Sequence, residues 1–171
     1  VIGSATTLSQ DNIFTTGIIT ATSLSVNGID IGRGLAAVAT NTAVGNNALN
    51  ANTTGNNNTA IGDEALTSCT EGFRNTAVGS NTLSTLTTGD NNIAVGSDAL
   101  NATTTGNDNV AVGFDALTSN TTGNNNTAVG DSALESATTA SNNAALGADA
   151  LKSNTTGANN AALGKSALQN N

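Results

Sequence analysis

This chain of 171 residues is predicted to be all-β: a parallel β-solenoid, or β-roll, of 17-residue rungs that follows a hairpin-like segment. Three observations lead to this prediction. A Thr-Ala-Val-Gly step returns every 17 residues without insertion or deletion. Thr, Asn and Gly, which dominate each repeat, are weak helix formers. Seventeen extended residues reach about 56 Å, which is enough for short strands and turns, whereas helical repeat units need about 33 residues or more.

The repeat divides the chain into an N-terminal segment, 1–41, and a solenoid, 42–171, of seven full repeats and one partial repeat. We number the positions of the repeat from Thr42, so that its pattern is T-A-V-G-x-x-A-L-x-x-x-T-T-G-x-N-N. Position 2 is always Ala, position 4 always Gly, position 8 always Leu, and position 3 always Val, Ile or Leu. A strict period with fixed columns means that each unit stacks on the next in the same pose.

Each rung is predicted to contain two strands and two turns. "TAVG" supplies the first strand, "AL" a second and shorter strand, and "TTGxNN" the turn. The glycines at positions 4 and 14 suit corners with positive φ. We predict that positions 3 and 8 fill the coil interior, with the residues Val44, Ile61, Val78, Val95, Val112, Val129, Leu49, Leu66, Leu100 and Leu117.

Positions 2 and 4 are then expected to face outward. An outer column that tolerates only Ala is predicted to be crowded by a neighbouring chain. A narrow interior with one Val-sized and one Leu side chain per rung also offers little apolar burial against the backbone entropy of 17 ordered residues. The sequence therefore predicts that several chains associate.

Two columns of the repeat predict hydrogen-bonded ladders along the solenoid axis. Identical Asn side chains stacked in register bond to one another in cross-β structures, and Thr hydroxyls can do the same. The predicted ladder residues are Asn58, Asn75, Asn92, Asn109, Asn126, Asn143 and Asn160 at position 17, and Thr53, Thr87 and Thr121 at position 12.

The segment before the repeat contains "LSVNGIDI", residues 24–31. Asn27-Gly28 is the strongest two-residue turn signal, and Leu24, Val26, Ile29 and Ile31 fall on one face of the predicted hairpin. Exchange of a strand between chains is the alternative. Residues 32–41 are predicted to be a connector with about one helical turn.

Charge and composition exclude several classes of function. A net charge of −8 argues against nucleic acid, which requires a basic surface, and against an anionic membrane. No apolar run is long enough for a membrane-spanning helix. Without His, neither a Ser-His-Asp triad nor a Cys-His pair can form, and a single Cys cannot build a metal cluster. We therefore expect no enzyme activity, no cofactor, no metal site and no membrane insertion. Because the chain starts at Val1 and stops within a repeat, we expect it to belong to a longer protein.

Weaker candidates for chemistry remain. Acids at position 6 (Glu64, Asp98, Asp115 and Asp149) are predicted to form a solvated polar edge, although two on adjacent rungs could resemble a glycosidase pair or hold Ca²⁺. Paired threonines also raise ice binding, which a location in turns disfavours. Phe73 and Phe114 could touch a receptor, or pack over a neighbouring rung.

The steps Thr59-Ala60-Ile61-Gly62 and Ile93-Ala94-Val95-Gly96 resemble those in the head repeats of YadA-type trimeric autotransporter adhesins. That resemblance implies a left-handed parallel β-roll in a homotrimer, although the adhesin unit is shorter and lacks "TTGxNN". Runs of the whole repeat, together with "TTGIITATSLSVNG" (15–28), are similar to tail fibres of bacteriophages, including those of marine cyanobacteria.

The fibre resemblance implies a rigid trimeric shaft in the virion tail that presents or contributes to host attachment. Its expected partners are its own copies, other virion tail proteins and a host receptor or glycan. The alternative is a bacterial trimeric surface adhesin located outside the cell, and a solenoid polysaccharide depolymerase is a third hypothesis.

Overall fold

The computed structural model describes residues 23–26, 29–33, 38 and 40–170. Among these residues it has no helix, and ten strands form one sheet in chain order from β1 to β10. β3 to β10 run parallel, and each strand pairs with the strand of the next repeat in register, as in Ala94↔Ala111. This is the predicted β-solenoid of 17-residue rungs. The strands are β1 Ser23–Val26, β2 Ile29–Gly32, β3 Thr42–Val44, β4 Thr59–Ile61, β5 Thr76–Val78, β6 Ile93–Val95, β7 Val110–Val112, β8 Thr127–Val129, β9 Ala144–Leu146 and β10 Ala161–Leu163.

The predicted hairpin forms the N-terminal edge of this sheet. β1 and β2 are antiparallel, with Val26 opposite Ile29, which is the register that a two-residue loop gives. β2 then pairs antiparallel with β3, where Ile31 lies opposite Val44. The loop residues 27–28 and half of the connector, 34–37 and 39, lie outside the described residues, as does the helical turn predicted there.

The second strand predicted at "AL" is wrong. Ala99 and Leu100 are both fully buried in the coil, whereas neighbouring residues of a strand point to opposite faces. Leu100 has φ 54°, and this left-handed conformation turns both side chains inward. The same conformation occurs at every position-8 Leu, with φ from 50° to 54°: Leu49, Leu66, Leu83, Leu100, Leu117, Leu134, Leu151 and Leu168.

Rung-to-rung hydrogen bonds continue through this turn segment without strand geometry. The Asp98 N–H donates to the Ser80 carbonyl of the preceding rung at 3.0 Å, and the Leu100 N–H donates to the Ala116 carbonyl of the following rung, also at 3.0 Å. Position 6, like position 8, has positive φ throughout, from 53° to 58°. The turn therefore keeps its backbone groups paired along the axis at the cost of left-handed residues, about 1–2 kcal/mol for each one that is not Gly.

The interior prediction is correct for position 8 and wrong for position 3. Leu49, Leu66, Leu100 and Leu117 are fully buried. The position-3 side chains lie on the outer face of the sheet, where Ile61 is 40% and Val95 36% exposed. These outward-facing residues are Val44, Ile61, Val78, Val95, Val112 and Val129.

Position 2 occupies the interior instead. Ala60, Ala77, Ala94 and their equivalents are buried within the chain itself, so the predicted crowding of this column by a neighbouring chain is also wrong. A three-residue strand puts positions 1 and 3 on one face and position 2 on the other. The coil is too narrow for Val beside the Leu of position 8, and it takes Ala.

The two glycine columns serve different needs. Position-4 glycines have φ between 117° and 143°, as predicted for a corner. Position-14 glycines are not among the residues with positive φ, so that half of the prediction is wrong. Instead they lie where adjacent rungs approach closely, because a Cβ on Gly106 would lie 2.6 Å from the Gly123 carbonyl oxygen.

A Cβ at position 14 would also meet the side chain at position 11 of the same rung. On Gly89 it would lie 2.7 Å from Leu86 Cδ1. The one repeat with a Cβ at position 14, Ala140, carries Ala137 at position 11, which is the smallest residue in that column. The two positions therefore share one interior volume.

Candidate functional site

The position-17 asparagines form a buried ladder along the coil. The Asn92 backbone N–H donates to Asn75 Oδ1 at 2.9 Å, and Asn92 Nδ2 donates to the same oxygen at 3.1 Å and to the Gly106 carbonyl at 2.8 Å. Asn92 Oδ1 then accepts the same pair of bonds from Asn109. The ladder starts at Asn41, and the predicted residues in it are Asn58, Asn75, Asn92, Asn109, Asn126, Asn143 and Asn160.

This arrangement explains why the column contains only Asn. The side chain accepts two bonds and donates two, which uses all the hydrogen-bonding capacity required of it in a fully buried location. Asp lacks the donors and would bring a buried charge. The ladder ties the turn of one rung to the strand entry of the next.

The position-12 threonines form a second ladder of a different kind. Thr53 Oγ1 donates to the Thr70 carbonyl at 2.9 Å, and Thr87 Oγ1 donates to the Thr104 carbonyl at 3.0 Å. Thr121 bonds to the Thr138 carbonyl at 2.9 Å. Each hydroxyl thus bonds to the backbone of the next rung rather than to the next hydroxyl.

A third ladder lies at position 15, which the sequence pattern presented as free. The Asp90 N–H donates to Asn107 Oδ1 at 2.8 Å, and the Asn107 N–H donates to Asn124 Oδ1, also at 2.8 Å. The Phe73 N–H likewise donates to Asp90 Oδ1 at 2.7 Å. Here the side chain of the later rung accepts, whereas at position 17 the side chain of the earlier rung accepts. The signal was the prevalence of Asn, Asp and Ser in that column.

The outer face of the sheet carries most of the exposed large aliphatic side chains of the described residues. Its position-3 column is exposed at Ile61, Val95, Val129 and Leu146, by between 36% and 41%. Position 1 adds Ile93, which is 42% exposed, and Thr, Val or Ala elsewhere. None of the residues at positions 1 and 3 is charged, although the chain carries 12 acidic residues. We call this surface the outer apolar face and define it as positions 1 and 3 of β3 to β10.

Beyond the buried Asn of position 17 and the Gly of position 4, polar residues predominate: position 16 is Asn, Asp or Arg, and position 5 is mostly Asn, Asp or Ser. A polar border of this kind is typical of an interaction site rather than of scattered apolar residues. Eight rungs at about 4.8 Å give it a length of roughly 38 Å, and a three-residue strand gives a width of about 10 Å. Complete burial of each half-exposed Val or Ile side chain would contribute on the order of 1 kcal/mol.

The acidic residues lie mostly on the turn after the strand. Burial raises the pKa of Asp115, and the carboxylates of Asp98, Glu135 and Asp131 raise it further. Lys152 lies 3.0 Å from Glu135 and 3.1 Å from Asp149, and its hydrogen bond lowers the pKa of Glu135.

Position 6, which contributes Asp98, Asp115 and Asp149 to this turn, requires a left-handed backbone. Asn and Asp adopt that conformation more readily than most residues. Backbone conformation therefore accounts for these acids without a catalytic pair. The described part of the chain contains no group of three or more His, Cys, Asp or Glu arranged to hold a metal ion.

Cys69 and two phenylalanines, Phe73 and Phe114, differ in their exposure. Cys69 is fully buried at position 11, and burial raises the pKa of its thiol to about 11, so that the thiolate is disfavoured. Phe114 is 55% exposed on the turn, whereas Phe73 is half-buried.

No helix in the described residues is long and apolar enough to cross a bilayer.

Comparison with models of protein families, with curated proteins and with solved structures gave no match.

Proposed function

We propose that this chain forms part of a homotrimeric fibre of a phage tail, as a rigid shaft that presents or contributes to host attachment. The observation that carries the proposal is the unbroken axial register: each described rung repeats the same strand, turns and ladder bonds 17 residues later. Such a rod extends in one direction, which supports a mechanical role.

The axial bonding supports a rod that resists bending and stretching. Between the rungs that start at Ile93 and Val110, strand pairing is joined by the Asn92–Asn109–Asn126 ladder at one corner. The Thr104 hydroxyl and the Asn107 backbone add bonds to the next rung at other corners. Bonds distributed around the rung oppose tilting of one rung against the next.

Association of chains is supported by the apolar side chains that remain exposed on a single chain. The interior holds Ala and the position-8 Leu of each rung, with Leu86 as a second Leu in one rung, while the Val, Ile and Leu side chains of position 3 remain on the surface. Packing of copies through that surface adds apolar burial to a rod whose own core is thin. Handedness and trimeric state rest on the likeness of the repeat to YadA-type heads and phage fibres.

Immunogold electron microscopy tests the assignment to a virion. In a phage lysate in which mass spectrometry detects this chain, antibodies against the purified protein should decorate the tail fibres. Decoration of the bacterial surface instead would support the trimeric adhesin and overturn the phage assignment. Cleavage of host polysaccharide by the purified protein would overturn the mechanical role.

A further inference from the structure

The two columns of the outer apolar face contain no charged and no aromatic residue. Position 1 is Thr, Ile, Val or Ala, as in Thr76 and Ala144. Position 3 is Val, Ile or Leu, as in Val78 and Leu146. Compact, uncharged side chains in every rung allow a partner to pack closely along the whole face.

Two adjacent rungs of the face are more apolar than the other described rungs. Only in β6 and β7 are both positions occupied by branched apolar residues: Ile93 with Val95, and Val110 with Val112. We call these four residues the central belt, after their place among the described strands. Ile93 and Val95 are 42% and 36% exposed, so the belt carries apolar surface where Thr or Ala lies in the other rungs. In an interface, a few such residues contribute most of the binding energy.

The partner that fits this face is another copy of the same chain. The face is one strand wide and repeats with every rung, so a surface with the same 17-residue period matches it along its whole length. It carries no charge, and packing through it leaves the acidic turn residues Asp98, Asp115 and Asp131 outside the contact. A chain of net charge −8 can associate with itself only if such residues stay apart.

We propose that the copies of the homotrimer pack through the outer apolar face, parallel and in register, with the central belts of the copies against one another. The trimeric state and the parallel direction rest on the proposed function, because closed threefold symmetry about the fibre axis makes every chain run the same way. Register follows from the belt, since a shift by one rung would place one belt rung of each copy against a Thr rung.

Analytical ultracentrifugation of two matched variants tests the face. Val95→Asp places a charge in the belt, and Thr105→Asp places the same charge on an exposed position-13 turn of the same rung. The parent and Thr105→Asp should sediment at three times 16.6 kDa. Val95→Asp should dissociate, with association weakened by about a hundredfold or more, because its carboxylate would be buried without a partner. Equal association of the two variants would overturn the proposal.

Cysteine cross-linking gives a second test that leaves the belt intact. Val44→Cys and Leu163→Cys, each made with Cys69→Ala, lie at opposite ends of the face. An equimolar mixture assembled together should yield only disulfides between identical positions. Disulfides between Cys at 44 and Cys at 163 would show antiparallel chains and overturn the proposed arrangement.

The outcomes separate this inference from the proposed function. A trimer with these cross-links that antibodies do not find on virions would refute the tail fibre and leave the interface standing. A folded parent protein that stays monomeric at high concentration would overturn the interface, whatever the antibodies decorate.

Discussion

Asn75 donates both its backbone N–H and its side-chain Nδ2 to a single atom, the Oδ1 of Asn58, at 2.9 and 3.3 Å. Both side chains are fully buried, so no water replaces this acceptor if it is lost. Because the two bonds to one Oδ1 recur along position 17, only Asn fits this column. Removal of one Asn is therefore expected to lower the stability of the fold.

Asn92→Ala should destabilise the protein by about 2–5 kcal/mol, because it leaves the Asn109 N–H and the Gly106 carbonyl buried without this partner. Urea unfolding followed by circular dichroism measures the change. Thr105→Ala, on an exposed turn of the same repeat, should change stability by less than about 0.5 kcal/mol. Similar losses in the two variants would contradict a structural role for the ladder.

Glu64→Asn should stabilise the protein by several tenths of a kcal/mol, because Glu64 has φ 56° and Asn tolerates that conformation better. Glu71→Asn is the matched control, since Glu71 is exposed in the same repeat and is not among the residues with positive φ. Both variants remove one negative charge. If thermal unfolding shows the same gain for both, charge rather than backbone conformation is the cause.

Ala137→Leu should destabilise the protein as long as Ala140 is present, because a Cβ at position 14 meets a position-11 Leu at 2.7 Å in the rung of Gly89. Adding Ala140→Gly should recover most of the loss. The double-mutant cycle should give a coupling free energy of about 1–3 kcal/mol. Additive effects would mean that the two positions do not share the interior volume.

Asp115→Asn should raise the melting temperature at pH 7 and have little effect at pH 3. The pKa of Asp115 is raised in the folded protein, first by burial and then by Asp98. The unfolded chain therefore loses this proton at lower pH than the folded protein, and the carboxyl destabilises the fold once pH rises above its unfolded value, near 3.8. Asn removes that penalty and also suits φ 54°. An equal shift at both pH values would contradict an electrostatic origin.

The sequence alone predicted the rung length, the parallel stacking and the ladders at positions 12 and 17, but not the ladder at position 15, because only a strictly repeated residue signals a repeated contact. It could not show which face of a three-residue strand points to the interior. If the two faces are assigned in reverse, Ile61 is placed in the interior and Ala60 outside. The left-handed conformation of Leu66 could not be predicted from the sequence either, since Leu rarely adopts a positive φ. By contrast, the Asn and Asp residues at positions 6 and 16 were a readable signal for that conformation.

The ladder at position 17 has a genetic consequence. Each of its Asn residues presents the same Oδ1 acceptor to the backbone N–H of the next rung, so removing or duplicating one repeat leaves this ladder unbroken. An in-frame exchange between repeats alters the reach of the rod by whole rungs, about 4.8 Å each, while the outer apolar face stays aligned. The length of the rod can therefore change by recombination while the contacts of the position-17 ladder stay the same.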